Sequence, residues 1–272
     1  MSDRKSMFFT RVKKSAYTVV NATYTGHFFN ISAINYVSDD LILKPDGSKV
    51  IWLGIIPFQL NLSTNFNIST ASYIGSYNQR PITGSGALSQ TFSFNGDGTR
   101  LFIHSDQQNR IYQFNLSSAY NVTSCTSSGL YITVSANLRK MLFVDNGIMM
   151  YLLYDDRTLV EYILPIPYDI LTASLTGRTK VLPNVGGGAN PIDSIAFSPD
   201  FLRIFALAAS SIYEIDLVSP LDVTTATYNG KNYPIVEAGV NTSMVINDTF
   251  TKLYIGNPSS DYKINEYDIN NP

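Results

Sequence analysis

Side chains able to do acid and base chemistry are scarce in this chain. It has four glutamates, and three of them, Glu161, Glu214 and Glu266, fall at one repeated position that Gln59 and Gln113 fill elsewhere. Residues that recur with a scaffold period are structural by default, which leaves the aspartates. Asp39 or Asp40, in "VSDDLIL", and Asp193, in "IDSIAF", precede equivalent apolar segments. Two such carboxylates meeting across a central pocket are what glycoside hydrolysis uses as its acid and its base or nucleophile. The equivalent segments "LSQTFSF", "RKMLFV" and "TSMVI" supply no further carboxylate, and a glycoside hydrolase is the less favoured reading. His27 and His104 have no serine or cysteine beside them in a nucleophile's context. With the single cysteine, Cys125, they are too few for a zinc cluster, and Cys125 reads as a small packed residue. The glycine-rich runs "TGSGALS" and "VGGGANP" lack the Lys-Ser/Thr ending of a phosphate-binding loop and read as connectors.

The aspartates most regularly spaced are Asp46, Asp97, Asp145, Asp200 and Asp248, in "LILKPDGSKVIWLG", "FSFNGDGTRLFIHS", "LFVDNGIMMYLLY", "IAFSPDFLRIFALA" and "MVINDTFTKLYIGN". Calcium would need several oxygen ligands at each, and each supplies one carboxylate. Alternating apolar residues around a tight reversal instead predict a β-hairpin, the aspartate serving the turn.

A second motif has the same period. "SAYTVVNATYTG" from Ser15 returns as "TNFNISTASYIG" from Thr64, "SAYNVTSCTSSG" from Ser118, "IPYDILTASLTG" from Ile166 and "SPLDVTTATYNG" from Ser219. The copies share an aromatic or Leu at position 3, Asp, Asn or Thr at 4, Val or Ile at 5, Ala or Cys at 8 and Gly at 12. Between the motifs lies a third strand, "PFQLNL", "IYQFNL", "LVEYIL", "IYEIDL" and "INEYDI", which carries the Gln/Glu position. Three strands followed by a twelve-residue segment suited to a fourth, repeating about every fifty residues, describe a propeller blade. Five units predict an all-β, five-bladed propeller.

The chain ends favour a closed ring over an open solenoid or an eroded sixth repeat. "EYDINNP" stops where the last unit's fourth segment should begin, at Asn271-Pro272, and the orphan fourth segment is Ser15 to Gly26. Completing the last blade with it satisfies both edges. Ser15–Gly26 is therefore expected beside Lys263–Ile269, within a single propeller domain over residues 15–272. Pro165 and Pro167 in the third unit, and the short "WLGIIPFQL" of the first, mark blades expected to be irregular.

The runs "IYQFNLSSAYNVTS" and "FNLSTNFNISTASY" resemble tandem-repeat β-propellers encoded by tailed bacteriophages and some aquatic bacteria. That resemblance implies a virion-associated protein: a head, neck or tail appendage, sometimes with a role in adsorption.

Composition agrees with a soluble scaffold. Only 15% of residues are charged and 44% are apolar, and the formal net charge of −2 gives no electrostatic reason to expect nucleic acid. No run is long enough for a transmembrane helix, and "MSDRKSMFFTRVKK" lacks the apolar core of a secretory signal. Synthesis in a host cytoplasm followed by entry into a virion is expected. Eight Asn-x-Ser/Thr sequons, Asn67 and Asn121 among them, arise largely from the repeat. Residues 1–14 form a basic arm or strand extension. Arg4, Lys5, Arg11, Lys13 and Lys14 are its candidate docking residues toward another virion protein. A lectin is the alternative, with a host-surface glycan stacked on some of the 18 tyrosines. Most aromatics, such as Tyr17, Phe66, Tyr120 and Tyr168, occupy repeated packing positions. The connectors "GSYNQRPITGSGALS" and "GRTKVLPNVGGGANP" are better candidates for a partner surface. No catalytic residue, metal or cofactor is assigned.

Overall fold

The computed structural model describes residues 14–32, 40–83, 91–186, 191–235, 243–257 and 263–269. Twenty strands form five four-stranded antiparallel sheets. The N-terminal strand is β1 (Ala22–Asn30). Blade 1 is β2 (Asp40–Leu43), β3 (Lys49–Leu53), β4 (Pro57–Leu62) and β5 (Ala71–Ser76). Blade 2 is β6 (Phe92–Phe94), β7 (Arg100–Ser105), β8 (Arg110–Leu116) and β9 (Cys125–Thr133). Blade 3 is β10 (Leu138–Val144), β11 (Met149–Tyr154), β12 (Thr158–Ile163) and β13 (Ser174–Val181). Blade 4 is β14 (Ser194–Phe197), β15 (Arg203–Ala208), β16 (Ser211–Asp216) and β17 (Thr227–Pro234). Blade 5 has β18 (Ser243–Ile246), β19 (Lys252–Asn257) and β20 (Lys263–Ile269), completed by β1.

The core is divided among five apolar clusters, each shared by two neighbouring blades. Ile51 and Leu101 pack between blades 1 and 2, Phe102 and Leu152 between 2 and 3, and Tyr151 and Ile204 between 3 and 4. Phe205 and Leu253 pack between blades 4 and 5, and Tyr254 and Trp52 between 5 and 1. A circuit with no missing interface is a closed five-bladed β-propeller.

Closure runs through the predicted pair. β1 lies antiparallel to β20, from Ala22 opposite Ile269 to Asn30 opposite Lys263; Asn271-Pro272 lie outside the described residues. The twelve-residue motif is not itself a strand, however. Its first seven residues build the turn between the third and fourth strands, and the outer strand begins at position 8 or 9 and continues past the glycine.

That turn explains the shared residue types. At position 4, the side chains of Asn67, Asn121, Asp169 and Asp222 each accept a hydrogen bond from the backbone N–H two residues on, capping a short 3-10 turn. In the sequons at Asn67 and Asn121, the hydroxyls of Ser69 and Thr123 donate to the same oxygens at 2.6 and 2.8 Å, so there the sequon is a local cap. At position 3, Phe66, Tyr120, Tyr168 and Leu221 adopt left-handed backbone angles, φ 54° to 62°. Their rings cover the hairpin-turn glycines in three blades: a β-carbon on Gly98 would lie 2.1 Å from the Tyr120 ring. Blades 4 and 5 exchange the roles. Phe201 and Phe250 hold the left-handed turn position themselves, and Phe250 meets the Tyr17 ring at 5.0 Å.

Position 12 is a bulge. Gly26, Gly129, Gly177 and Gly230 have φ of 76° to 86°, and the pairing with the third strand shifts register opposite them. The bulge faces the Gln/Glu position, whose carbonyl accepts the position-11 hydroxyl in three blades: Thr25 to Glu266 at 3.0 Å, Ser128 to Gln113 at 2.7 Å and Thr176 to Glu161 at 3.3 Å. Bulges also twist the outer edges away from further strand pairing.

The same two features join the blades. The position-3 carbonyl of each blade accepts from a donor on the second strand of the preceding blade. Lys49 reaches Tyr120 O at 3.5 Å, Arg100 reaches Tyr168 O at 3.2 Å and Tyr254 reaches Phe66 O at 2.6 Å. Arg203 binds Tyr17 O, and the Tyr151 hydroxyl, shared with Glu161, lies 2.8 Å from Leu221 O. Two residues on, the position-5 N–H of Val122, Val19 and Ile68 donates to Gln59, Glu214 and Glu266 of the preceding blade at 3.2, 3.0 and 2.8 Å. The Gln/Glu set is thus structural.

Blade 1 pairs regularly through its two hairpins, contrary to expectation, whereas blade 3 does carry an irregularity, a register shift between Leu138 and Lys140 where β10 pairs with β11, though not at its prolines. β3 and β4 pair from Lys49–Asn61 to Leu53–Pro57 across a short reversal, and Pro165 and Pro167 fall in the turn before Tyr168, where no ladder donor is needed.

Replacing Glu266 with Ala strands the Ile68 N–H and removes one of two partners of Lys252, which lies 2.7 Å from Glu266 and 2.6 Å from Asp268. A loss of about 2–4 kcal/mol is expected in urea unfolding. Glu266→Gln should lose less than half as much, because Gln59 makes the same contact with an amide oxygen. Gly98→Ala should cost at least about 1–2 kcal/mol from backbone handedness alone, measured the same way.

Candidate functional site

The propeller axis is the natural site, because the first strands of all five blades converge there. Asp40, Thr91, Lys140, Ser194 and Ser243 occupy one level of it. Asp40, Lys140, Ser194 and Ser243 pair with Leu53, Leu153, Leu207 and Gly256, and Thr91 O accepts from His104 N, at the fifth residue of each second strand. All five are buried, none more than 4% exposed. They form a polar ring across the axis.

Asp40 organises that ring. Its Oδ1 accepts from Leu41 N at 2.8 Å and Lys140 Nζ at 2.5 Å; its Oδ2 accepts from Thr91 Oγ1 at 2.7 Å and Phe92 N at 3.3 Å. Thr91 Oγ1 in turn accepts from Met141 N at 3.0 Å. Three blades are therefore tied through one carboxylate whose charge Lys140 neutralises and whose lone pairs are filled. Such a group has no free site from which to take a substrate proton. On the far side of the ring the Ser194 hydroxyl lies 3.4 Å from Met244 O, joining blades 4 and 5.

Asp193 stands one residue beyond Ser194, half-buried, near the Arg139–Asp155 ion pair. Burial raises its carboxyl to about 6; Arg139 opposes the shift and Asp155 adds to it. Among the described residues no hydrogen bond or ion pair links it to the Asp40 network, and the two sequence candidates are not joined as an acid–base pair. Asp39 lies outside the described residues. Lys140 is the residue that reading the sequence missed. Its signal was present: "RKMLFV" places a lysine where "DDLIL" places Asp40.

Above the ring, toward the hairpin turns, the axis opens into a cavity of about 420 Å³. Lys140 reaches its floor, Ile42, Leu142, Ala196 and Val245 form walls, and Gly96, Phe201 and Asp248 stand at the turns. A second cavity of about 220 Å³ beside it shares Phe197, Phe201 and Ile246.

The remaining sequence candidates take local roles. Asp46, Asp97 and Asp200 accept from backbone N–H groups of Ser48, Thr99 and Leu202 at 2.9, 2.9 and 3.2 Å, as turn residues do. Among the described residues, no cluster of three His, Cys, Asp or Glu side chains is placed to hold a metal. Cys125 is buried and burial raises its thiol to about 12. His27 Nδ1 lies 3.4 Å from Glu266 Oε1. Tyr120 and Tyr168, like Phe66, close hairpin turns. Arg4, Lys5, Arg11 and Lys13 lie outside the described residues; Lys14 is exposed. Most of the glycine-rich connectors also lie outside them. Within "GSYNQRPITGSGALS" a single helical turn, Arg80–Thr83, forms where Asn78 Oδ1 accepts from Arg80 N. The Ser105 hydroxyl holds Thr83 O at 2.8 Å.

His104 is fully buried, and neither ring nitrogen has a hydrogen-bond partner. Burial lowers it to about 4, so at neutral pH its 3.4 Å approach to Asp106 is not an ion pair.

No protein-family model matches the chain, and no curated protein matches it in sequence. Among solved structures it is similar to the β-propeller domain of Cps50 (Swd1) from Myceliophteria thermophila, at 9% identity and TM-score 0.47, over 87% of this chain and 71% of that one. It is also similar to a functionally unknown protein from Desulfotomaculum acetoxidans, at 13% identity and TM-score 0.45, over 82% of this chain and 63% of that one. A third is a Bacteroides uniformis protein assigned only provisionally as a 6-phosphogluconolactonase, at 16% identity and TM-score 0.47, over 80% and 62%.

Two outcomes follow. Lys140→Met leaves Asp40 charged and unpaired, and should cost about 3–5 kcal/mol; Asp40→Asn in the same chain should recover most of it. His104 binds a proton in the unfolded chain below about 6.5 but in the fold only near 4, so the stability of its neutral form is present above 6.5 and lost as pH falls toward 4. Asp193 works oppositely: its contribution is complete below about 3.8 and lost as pH rises through 6. His104→Leu, the residue of three other blades, should add about 1–2 kcal/mol at pH 7.5 and more at pH 5 in thermal unfolding.

Proposed function

We propose that the protein is a non-enzymatic structural component of a bacteriophage particle: a head, neck or tail appendage or decoration that can aid host attachment. One observation carries the non-enzymatic part. The groups best suited to chemistry are committed to the ring, Asp40 through four donors, one of them a lysine, and Glu214 and Glu266 through neighbouring backbone N–H groups and basic side chains. What this leaves for function is a rigid body with loops at its ends, a frame suited to presenting a surface. The repeat's resemblance to phage-encoded propellers supplies the particle.

The arm is the docking element of this reading, through Arg4, Lys5, Arg11, Lys13 and Lys14. Mass spectrometry of purified particles should find the chain at a fixed copy number, and deletion of residues 2–13 should reduce incorporation while the protein stays folded. Particles without the chain would overturn the reading. Monosaccharide-specific binding on a glycan array would replace it with the lectin, and glycoside hydrolysis lost in Asp193→Asn would replace it with an enzyme.

A further inference from the structure

His104 is fully buried where blades 1, 3 and 4 place Leu53, Leu153 and Leu207, and neither of its ring nitrogens has a hydrogen-bond partner. A neutral imidazole carries one N–H and one lone pair, so both halves of its polar capacity go unused in a dry interface. A second unmet group stands close to it in the chain. The Asn109 side-chain oxygen is also buried without a hydrogen-bond partner. Asp106 and Asn109 are the first and last residues of the turn that joins β7 to β8, and His104 lies two residues before that turn. Its cross-strand partner Ile111 packs between blades 2 and 3, and pairing puts the imidazole on the same face. Val134 N donates to Asn109 O at 2.9 Å, so the connector to blade 3 covers the turn.

The spacing of these groups is that of ligands rather than of hydrogen-bond partners. His104 Nδ1 and Asp106 Oδ1 are 3.4 Å apart, longer than the roughly 2.7–3.2 Å of an N–H···O bond. Two atoms bound to one ion at about 2.1 Å each lie about 2.9 Å apart at a right angle and about 3.4 Å apart at the tetrahedral angle. An imidazole nitrogen does not suit the all-oxygen shells of calcium and magnesium, but it does suit zinc and its first-row neighbours. We propose that His104, Asp106 and the side-chain oxygen of Asn109 form a site for a divalent first-row transition ion such as zinc, at the end of the propeller opposite the hairpin turns. Only two of the three donors are of the usual ligand types, the third being an amide, and water completes the shell. The site adjoins the polar ring: His104 N donates to Thr91 O at 3.0 Å, and the Thr91 hydroxyl holds Asp40. An ion here fastens blade 2 where it meets the axis. The inference concerns the isolated chain and is independent of the particle reading.

Thermal unfolding of the full chain tests it, first with a chelator and then with zinc. Under chelation wild type should be the less stable partner of His104→Leu, as above. Zinc at about a hundred times its Kd should raise the wild-type Tm by about 5 °C or more and leave His104→Leu unmoved. Asp106→Asn should weaken zinc binding by about tenfold or more, and Asn109→Asp, which adds a carboxylate, should tighten it by a similar factor. The second variant keeps the test open if His104→Leu does not fold. Cobalt(II) should give a visible absorption in wild type that His104→Leu abolishes. His27, half-exposed and 3.4 Å from Glu266, is the rival ligand, so each measurement is repeated in His27→Gln. A zinc shift that survives His104→Leu and is lost in His27→Gln assigns the ion to that outer pair and overturns the proposal. No zinc shift in wild type would overturn it too, as would an Asn109→Asp variant that binds zinc no tighter.

Discussion

The structure depends on a turn, left-handed at Phe66, Tyr120, Tyr168 and Leu221, that presents its backbone to the neighbouring blade. At position 3 of each twelve-residue motif the carbonyl is met by a side chain from the preceding blade, in all five interfaces. At position 5 the N–H is met in three of them by a buried Gln or Glu. Apolar burial between blades is larger in area, but it is non-directional and permits sliding. A polar contact left unmade in a dry interface is costly, so these contacts fix how one blade is seated on the next. The residue types follow: an aromatic or Leu to cover the hairpin, an Asx or Thr to cap the turn, a glycine bulge opposite the Gln/Glu.

This division of labour bears on function. The carboxylates of the third strands and of the axis are drawn into holding the ring, and the ring in turn holds a polar layer across its own centre. Asp40 and Lys140 are a buried pair, which seldom adds net stability over an apolar pair yet disfavours any arrangement that separates them. The axis is divided by that layer, and on the hairpin side a chamber of mixed polar and apolar lining remains.

The blade count, the strand order and the identity of the closing strand were legible in the sequence, because each rests on a repeated local pattern. Glycine and aspartate mark the hairpins, alternation marks the strands, and the orphan motif at Ser15 had one vacant place to fill. The extent of that strand was not legible: Ala16 to Asn21 alternate well enough for a strand, but capping by Thr18 and contact with Glu214 take that stretch into a turn. Irregularity was wrongly expected of blade 1, and in blade 3 it was expected at the wrong place: the register shift falls between Leu138 and Lys140 of β10, whereas Pro165 and Pro167 fall outside any ladder, where a missing N–H costs nothing. The axial network escaped notice for a different reason. Asp40, Thr91 and Lys140 are unlike one another, and only the register of strands some fifty residues apart makes them neighbours.

The most direct measurement of the ring account is native-state hydrogen exchange at the N-terminal segment. If the Glu214 contact locks that segment into the circuit, the Val19 amide should exchange only through global unfolding, with the same free energy as the Ile255 amide in the middle of β19. The Ile68 amide, held by Glu266 across the next interface, should behave alike. Fast exchange at Val19 while Ile255 stays protected would mean that residues 15–30 peel away from a ring that stands without them, contradicting the account.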